Sequence, residues 1–335
     1  MENLNAKEVP LVSVRCLTYN QKKYIKDALD GFVKQITDFS FEVIVHDDAS
    51  TDGTAAIVKE YAEKYPDIIK PIFETENQYS KHDGSLRRIM NEACKGKYIA
   101  YCEGDDYWTD PYKLQKQVSF LEKHPDYSMC CTNVRILSPS GFIQWKRFNE
   151  TCDIFPNMMI KGGGSLIATC TQVYRKEVFN VFSYLDFCMK CYIGDYTMQI
   201  LSSLMGKVHY IHEETSVYRY CSDGSWTSNS NGQPILMQLP DWKSQIVMLK
   251  GLDNFSKGIY HIDFYEAQIE LVDWICRNNI GEYKKILDEF KDVLRMPFIY
   301  KFTYHIIKDD YKFLYPMCIF LKRCYNSVCR NLCIK

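Results

Sequence analysis

The chain has 335 residues, of which 46% are hydrophobic and 25% charged, and its net charge at pH 7 is −1. This length suits one large domain or a domain with an appendage, and the composition is that of a globular protein. The nearly neutral charge excludes binding of nucleic acid through overall basicity, so we expect no nucleic-acid partner.

The last part of the chain differs in charge from the rest. Residues 296–335 carry seven lysines and arginines against two aspartates, a net charge of +5 that leaves −6 for the remainder. Over 298–332 the basic residues alternate with apolar ones, which suits a last helical layer or an amphipathic surface on an anionic membrane. No apolar stretch reaches the ~18 residues of a membrane span, and residues 1–10 do not resemble a signal peptide. We therefore expect a cytoplasmic protein whose tail lies peripherally on the membrane.

Fifteen cysteines are many for this length, but the number is odd and several lie in apolar runs. This pattern indicates reduced core thiols in a cytosolic protein rather than disulfides. Cys188 and Cys191 form a single Cys-x-x-Cys pair, which without a second pair is a weak signal for zinc.

The first 135 residues alternate between predicted strands and helices. Apolar runs predict strands over 11–17, 41–45, 68–73, 98–102 and 128–136, and apolar residues at helical spacing predict helices over 21–35, 56–62, 85–94 and 111–124. Beyond residue 141 the pattern loosens. There we expect a helix that begins at Asp195, a strand over 208–220, a mobile loop over 221–232, and helices over 236–249, 260–277 and 282–293.

Strands joined by helices predict right-handed crossovers and a largely parallel α/β sheet with helices on both faces. Ligands bind such sheets at the carboxyl ends of the strands. Three polar clusters fall there, at 18–20, 47–48 and 103–106, and we expect them to share a cleft. We divide the chain into a catalytic domain over 9–230 and a helical region over 233–335.

The sequence Tyr-Cys-Glu-Gly-Asp-Asp-Tyr-Trp at 101–108 places three carboxylates within four positions after an apolar strand. One interpretation is an exposed, solvated turn, since Gly-Asp-Asp is good turn chemistry. The other is a site for Mg²⁺ or Mn²⁺, which bind through one or two carboxylates and keep positions for substrate phosphates. Such an ion would offset the repulsion between Glu103, Asp105 and Asp106.

Asp47 and Asp48 also permit two interpretations. They form either a turn in which Ser50 or Thr51 caps the next helix, or a pair of acceptors for a nucleobase N–H or a ribose hydroxyl. Asp195 is likewise either a helix cap or a catalytic base.

His209 and His212 lie on opposite faces of a predicted strand. We interpret both as structural, with His212, like Glu103, a minor candidate to assist a metal. The glycine triplet 162–164 lacks the ending of a phosphate loop. No Gly-x-Gly-x-x-Gly follows the first strand, which argues against a dinucleotide-dependent dehydrogenase.

Three motifs follow one another in a characteristic order: Leu-Thr-Tyr-Asn at 17–20, Val-His-Asp-Asp-Ala-Ser-Thr-Asp-Gly-Thr at 45–54 and Gly-Lys-Tyr-Ile-Ala-Tyr-Cys-Glu-Gly-Asp-Asp-Tyr-Trp at 96–108. With the Thr-Asp-Pro-Tyr-Lys-Leu-Gln-Lys-Gln segment that comes next, this set resembles the family 2 glycosyltransferases. The resemblance is strong over 9–135, weaker to about 230 and absent beyond.

The resemblance implies a GT-A fold, a nucleotide-sugar donor (a UDP-sugar in our expectation), Mn²⁺ or Mg²⁺, and inversion at the anomeric carbon. It implies that one set of residues holds the nucleoside: Thr18 with Tyr19 and Asn20, and Asp48 with Asp47. Asp105 would face the ribose or the metal, and Asp106 would coordinate the metal. Asp195 would be the catalytic base. The chain departs from the family pattern with Glu103 in the first position of Asp-x-Asp and with Gly194 where glutamate commonly precedes the base.

A mobile loop over the donor would exclude water. We assign this role to residues 218–227, with Arg219 for phosphate and Trp226 as an aromatic lid. The sequence therefore predicts a transferase that builds a surface polysaccharide on a glycan or lipid-linked saccharide acceptor. The alternatives are a metal-dependent nucleotidyltransferase, which should carry a basic Gly-rich loop after the first strand, and an inactive nucleotide-sugar-binding protein.

Overall fold

A computed structural model describes residues 9–145, 147–225, 228 and 233–290. This part of the chain contains ten strands: β1 Val12–Thr18, β2 Phe41–Asp47, β3 Ile69–Phe73, β4 Tyr98–Tyr101, β5 Tyr107–Trp108, β6 Tyr127–Ser138, β7 Gly141–Gln144, β8 Cys152–Ile154, β9 Val173–Arg175 and β10 Lys207–Arg219.

The same residues form eleven α-helices: α1 Ile25–Val33, α2 Thr54–Lys64, α3 Ser85–Ala93, α4 Lys113–Lys123, α5 Pro156–Gly162, α6 Lys176–Tyr184, α7 Asp186–Met189, α8 Gly194–Met205, α9 Ile235–Phe255, α10 His261–Asn278 and α11 Tyr283–Phe290. Short 3-10 turns lie at Tyr79–Lys81, Thr169–Thr171 and Ile280–Glu282.

The strands form one curled, mostly parallel sheet in the order β3-β2-β1-β4-β9-β6-β10-β5. Strands β1 to β4 pair in parallel, as do β6 and β10. Antiparallel pairing is confined to the short strands β5, β7, β8 and β9. The predicted α/β fold with a largely parallel sheet is confirmed.

Helix α1 shows why these elements form. Ile25, Ala28, Leu29 and Phe32 are fully buried, at the spacing that lines one face of a helix. Phe32 packs edge-to-face on Trp108 of β5 with ring centroids 4.9 Å apart. Burial of a leucine or phenylalanine side chain contributes about 1.5–3 kcal/mol each. The helix therefore anchors the short strand that follows the carboxylate cluster.

Helices α9 and α10 share a hydrophobic cluster with the rest of the chain. Leu249, Leu252 and Phe264 are buried together with Ile160 of α5 and Ile200 of α8. A Cβ at Gly251 would lie 2.5 Å from the ring of Phe187, so α9 approaches α7 closely. The division at residue 230 stays a prediction.

The structure adds elements that the sequence did not predict, namely β5, β7, β8, β9 and the helices α5 to α7. Most are too short to show a period in the sequence. The predicted helix 282–293 is present as far as Phe290, and the basic tail 298–332 lies outside the described residues, so its membrane role stays a prediction. In the ranges that the structure describes, no helix has the length and apolar character needed to cross a membrane. The cysteines described there are all free thiols, as predicted.

We predict that Gly96→Ala destabilises the fold by about 1–3 kcal/mol, the usual cost of overpacking. The added Cβ would lie 2.4 Å from the backbone nitrogen of Ser13 and 2.7 Å from the backbone carbon of Val12, and backbone atoms of a central strand cannot move aside. Urea denaturation measures the change. Gly281→Ala is the control, because its Cβ meets nothing within 4 Å. Equal stabilities of the two variants would contradict the packing described here.

Candidate active site

The three polar clusters meet at one edge of the sheet. Thr18, the last residue of β1, is in register with Asp47, the last residue of β2. The loop after β4 lies against β1, because the Gly104 N–H donates to the carbonyl of Leu17 at 2.8 Å. The three clusters therefore lie together at one edge of the sheet, as predicted.

Asn20 joins two loops of this edge. Its backbone N–H donates to Ser50 Oγ at 2.9 Å, and its Oδ1 accepts from the Thr51 N–H at 2.8 Å. The residue has φ 52°, a left-handed conformation that asparagine tolerates. Tyr19 beside it is 45% exposed. Asn20 thus fixes the loops, and Tyr19 is open to solvent at the site.

Asp47 and Asp48 are both buried but differ in their partners. The Asp48 carboxylate accepts the backbone N–H groups of Gln78 at 2.6 Å and Tyr79 at 3.0 Å. Asp47 Oδ2 accepts the Ser50 N–H at 3.3 Å, whereas its Oδ1 has no partner among the described residues. Asp48 therefore organises the turn after β3, and Asp47 keeps an oxygen available.

Capping of α2 by Ser50 or Thr51 was wrong. The N-cap residue is Gly53, in the left-handed conformation at φ 100°, and glycine has no side-chain oxygen that could cap the helix. Instead Asp52 Oδ1 accepts the Thr54 N–H at 2.9 Å. Ser50 and Thr51 face Asn20 because the two loops pack together.

The expectation of an exposed turn at Asp106 was also wrong, since this residue is 1% exposed. Its Oδ1 accepts the Arg219 backbone N–H at 2.8 Å, and its Oδ2 has no hydrogen-bond partner among the described residues. Burial first, and then repulsion from Asp105 and Glu103, hold the pKa of Asp106 well above its usual range, although the Arg219 N–H and the nearby Cys170 thiol oppose this. A cation in contact with Oδ2 would relieve both penalties.

Asp105 and the loop after β10 are linked directly. Ser222 Oγ donates to Asp105 Oδ2 at 2.6 Å, and Arg219 Nη1 donates to the Asp105 carbonyl at 2.6 Å. The Arg219 guanidinium also ion-pairs with Asp27 and lies over the ring of Tyr107, 4.5 Å from its centroid. In this structure Arg219 therefore holds the carboxylate loop in place. Trp226, the predicted lid residue, lies outside the described residues.

Asp195 lies far along the chain but close enough to the carboxylate cluster for its charge to repel that of Glu103. Burial raises the pKa of Glu103 to about 8, with repulsion from Asp105 and then Asp195 adding to the effect and Arg15 opposing it. Asp195 stands in the first turn of α8, where its Oδ1 accepts the Tyr196 N–H at 2.7 Å and its Oδ2 accepts from Thr169 Oγ1 at 3.5 Å. Burial raises the pKa of Asp195 itself. A carboxylate with a raised pKa is suited to accept a proton near neutral pH.

Four buried oxygens of residues at this edge have no hydrogen-bond partner among the described residues: Thr18 Oγ1, Gln21 Oε1, Asp47 Oδ1 and Asp106 Oδ2. Gly104 lies against two of them, since a Cβ there would be 2.5 Å from Gln21 Oε1 and 2.8 Å from Thr18 Oγ1. Buried polar atoms are nearly always satisfied in folded proteins, so this group points to a bound ligand.

The donor set suits a divalent ion held jointly by the protein and a substrate. Mg²⁺ and Mn²⁺ prefer carboxylate oxygens and commonly take the remaining ligands from phosphates. Asp106 Oδ2 is such an oxygen, and Asp105 lies beside it. No group of three or more His, Cys, Asp or Glu side chains in the described ranges could hold a metal without a substrate.

The histidines and the Cys-x-x-Cys pair lie apart from the carboxylate cluster in their contacts. His209 Nδ1 lies 2.8 Å from Asp153 Oδ1, and its ring stacks on Phe120. His212 lies beside Tyr210 on the exposed side of β10. Cys188 and Cys191 are buried, burial raises the pKa of the Cys188 thiol to about 12, and no third zinc ligand joins them in the described residues.

Sequence reasoning missed three site residues. Gln21 directly follows the Leu-Thr-Tyr-Asn motif, and that position was its signal. Thr169 and Ser222 contact Asp195 and Asp105 from distant segments, and nothing in their local sequence indicates those contacts.

Comparison with known proteins agrees with this geometry and defines a sugar-transferring enzyme class. A sequence model described as "Glycosyl transferase family 2" matches residues 13–182, and this chain belongs to the family 2 glycosyltransferases. The crystal structure of S. aureus TarS 1–349 in complex with UDP aligns with a TM-score of 0.62 at 17% identity, over 85% of this chain and 81% of that one. That likeness shows the GT-A fold.

Relatives in sequence include both uncharacterised and named proteins. An uncharacterised protein of Mycobacterium tuberculosis is 36% identical over 224 residues, which cover 65% of this chain and 61% of that protein. The Escherichia coli UDP-Glc:alpha-D-GlcNAc-diphosphoundecaprenol beta-1,3-glucosyltransferase WfgD is 27% identical over 174 residues, which cover 52% of this chain and 64% of that enzyme. The chain thus spans about three fifths of the length of the curated relatives it matches.

We predict that Thr18→Val raises the free energy of unfolding of the ligand-free protein by about 1 kcal/mol. The substitution removes a buried hydroxyl that lacks a partner, and such a group costs about 1–3 kcal/mol. Thr171→Val is the matched control, since the Thr171 hydroxyl is equally buried but donates to the Ala168 carbonyl at 2.7 Å; it should lose about 1 kcal/mol. If urea denaturation shows a similar loss for both variants, the Thr18 hydroxyl is already satisfied without a ligand.

Proposed function

We propose that this glycosyltransferase moves a sugar from a nucleoside diphosphate donor, a UDP-sugar, to a hydroxyl of a glycan or lipid-linked acceptor, with inversion, in the synthesis of a surface polysaccharide. The main support for the proposal is that several buried oxygens without hydrogen-bond partners, including Asp106 Oδ2, lie at one edge of the sheet, near Asp195. Two relatives support it. TarS was crystallised with UDP, and the E. coli enzyme is named for a UDP-glucose donor and a diphosphoundecaprenol-linked acceptor.

The nucleoside end of the donor is assigned to the ends of β1 and β2. The Thr18 hydroxyl can donate or accept a hydrogen bond, and Asp47 Oδ1 can accept one from a base N–H or a ribose hydroxyl. Both atoms are buried and without partners in the described chain. Tyr19 is exposed beside them, while Asn20 and Asp48 hold the surrounding loops. The affinity for the nucleoside therefore comes from few, preorganised contacts.

The diphosphate end is assigned to Asp105 and Asp106, which would hold Mn²⁺ or Mg²⁺. When bound, this ion stabilises the negative charge that develops on the leaving diphosphate. The protein prepares the site in advance. The Arg219 backbone N–H donates to Asp106 Oδ1, so Oδ2 keeps no hydrogen-bond partner in the described chain, and the Ser222 hydroxyl fixes Asp105.

Asp195 is assigned the role of the general base, which accepts the proton of the acceptor hydroxyl. The acceptor oxygen forms the new bond to the anomeric carbon, the bond from that carbon to the diphosphate oxygen breaks, and the acceptor's proton moves to Asp195. The hydrogen bonds from Tyr196 and Thr169 orient the carboxylate. A single displacement inverts the configuration at the anomeric carbon, whereas a double displacement would retain it.

We predict that Asp106→Asn lowers kcat by roughly 10²–10³, comparable to loss of an oxyanion-stabilising donor. The variant should remain folded, because an amide oxygen can still accept the Arg219 N–H and a buried charge disappears. Release of UDP from a panel of UDP-sugars measures turnover, and thermal unfolding checks the fold. Chelation of the wild-type protein should cause a similar and reversible loss. Full activity in excess EDTA would contradict the metal assignment.

We predict that Asp195→Asn keeps the affinity for UDP and Mn²⁺ but lowers kcat by roughly 10² or more, since general bases contribute about 10²–10⁴ in rate. The reason is that the base acts on the acceptor and not on the donor. Calorimetric titration with UDP and Mn²⁺ separates the two effects. If binding is lost together with turnover, Asp195 is a donor ligand or part of the fold, and the assignment as base is wrong.

A further inference from the structure

Arg87 of α3 donates its hydrogen bonds to backbone carbonyls of another segment, and its guanidinium also lies over the ring of Phe182, 5.8 Å from the centroid. Its Nη1 donates to the carbonyls of Met189 at 2.6 Å and Cys188 at 3.3 Å. Its Nη2 donates to those of Cys191 at 2.7 Å and Tyr192 at 3.3 Å. These residues form the end of α7 and the connection to α8. One side chain therefore fixes the path of the chain just before Asp195.

The charge of Arg87 acts on the Asp195 carboxyl, whose pKa it lowers against the larger, opposite effect of burial. No ion pair among the described residues includes Arg87, whereas its neighbour Arg88 pairs with Asp83 at the surface. Burial lowers the pKa of Arg87, yet a guanidinium stays protonated in proteins. A partly buried cation needs compensation, and here the four carbonyl dipoles and the ring of Phe182 supply it. The planar fork of arginine suits such a set of acceptors better than the single ammonium of lysine would.

Gly194 makes room for this guanidinium. A Cβ at position 194 would lie 3.0 Å from Arg87 Nη2 and 3.5 Å from Cζ, which is tighter than an ordinary contact. The backbone of Gly194 is not in the left-handed region, so conformation alone does not require glycine there. The missing side chain lets Arg87 reach the carbonyls directly in front of α8.

The segment 190–193, which connects α7 to α8, is also held by hydrogen bonds to α9 and α8. Ser244 Oγ of α9 accepts the Tyr192 N–H at 3.2 Å, and Thr197 Oγ1 donates to the Ile193 carbonyl at 2.6 Å. Asp195 then follows with its carboxylate held by Tyr196 and Thr169. Removal of Arg87 would break its hydrogen bonds to these four carbonyls, of which that of Cys188 also accepts the Cys191 N–H at 3.2 Å, and would free the connection from α3.

We propose that Arg87 is a positioning residue for the transfer reaction: by occupying the space over Gly194 and binding the four carbonyls, it sets the start of α8 and so the carboxylate of Asp195. This inference rests on the proposed role of Asp195 as base. Displacement of a reacting group by about 1 Å can cost 10²-fold in rate. We therefore expect loss of Arg87 to lower kcat by about 10–100-fold and to leave the affinity for UDP and Mn²⁺ unchanged.

The test compares Arg87→Met with Arg88→Met, a neighbouring arginine on the same helix, and Gly194→Ala with Gly164→Ala. A Cβ at Gly164 would lie 3.5 Å from Tyr196 Cβ, an ordinary contact close to the same helix. We expect Arg87→Met and Gly194→Ala to have a lower kcat with an unchanged dissociation constant for UDP and Mn²⁺, and both controls to resemble wild type.

Each substitution is repeated in the Asp195→Asn protein. There Arg87→Met should have no further effect on the residual turnover, because residues that act through one group are not additive.

The outcomes separate this inference from the proposed function. If Asp195→Asn turns over like wild type, the assignment of the base fails and the inference fails with it. If Asp195→Asn is impaired but Arg87→Met keeps its kcat, loses affinity for UDP, or lowers turnover equally in both backgrounds, the inference alone is overturned. Should Arg87→Met fail to fold, Gly194→Ala decides the question, and wild-type turnover of that variant overturns the inference.

Discussion

The parallel pairing of β1 with β2 and β4 is the constraint on which the site depends. Its register sets Thr18 opposite Asp47 and lays the loop after β4 against the end of β1. A slip of one residue would turn every side chain of β1 to the other face of the sheet. The fully buried Val12, Val14 and Cys16 prevent that slip. Core packing, rather than contacts between the polar residues themselves, thus brings the polar strand ends together.

The carboxylates gathered at this edge work against stability. Glu103, Asp105 and Asp106 repel one another, and burial makes ionisation of Glu103 and Asp106 still less favourable. The chain compensates only in part, through Arg219 and Ser222, and leaves one oxygen of Asp106 without a partner. Such uncompensated groups are typical of functional sites, where a substrate or ion completes the set.

The sequence predicted the first half of the fold well because its elements are long and periodic. Strand β2 and helix α3 begin at the predicted residues, and β1 and β3 begin within one residue of the prediction. Strand β5 has two residues and β9 has three, too few to show a period. For the candidate site, the family resemblance indicated Asp106 and Asp195, but it did not indicate which residues surround them. The burial of Asp106 and the contacts of Thr169 and Arg87 arise from distant segments, which local patterns do not report.

We propose that a divalent ion and a nucleoside diphosphate bind the oxygens of this edge that have no partner in the described chain. A crystal of the protein grown with UDP and Mn²⁺, with anomalous data at the manganese edge, tests it most directly. We expect one manganese peak at about 2.1 Å from Asp106 Oδ2, the distance typical of such small divalent ions. We also expect that the diphosphate binds the same ion and that the uridine lies against Thr18 and Asp47. Manganese bound away from Asp106, or UDP bound elsewhere on the chain, would contradict the account.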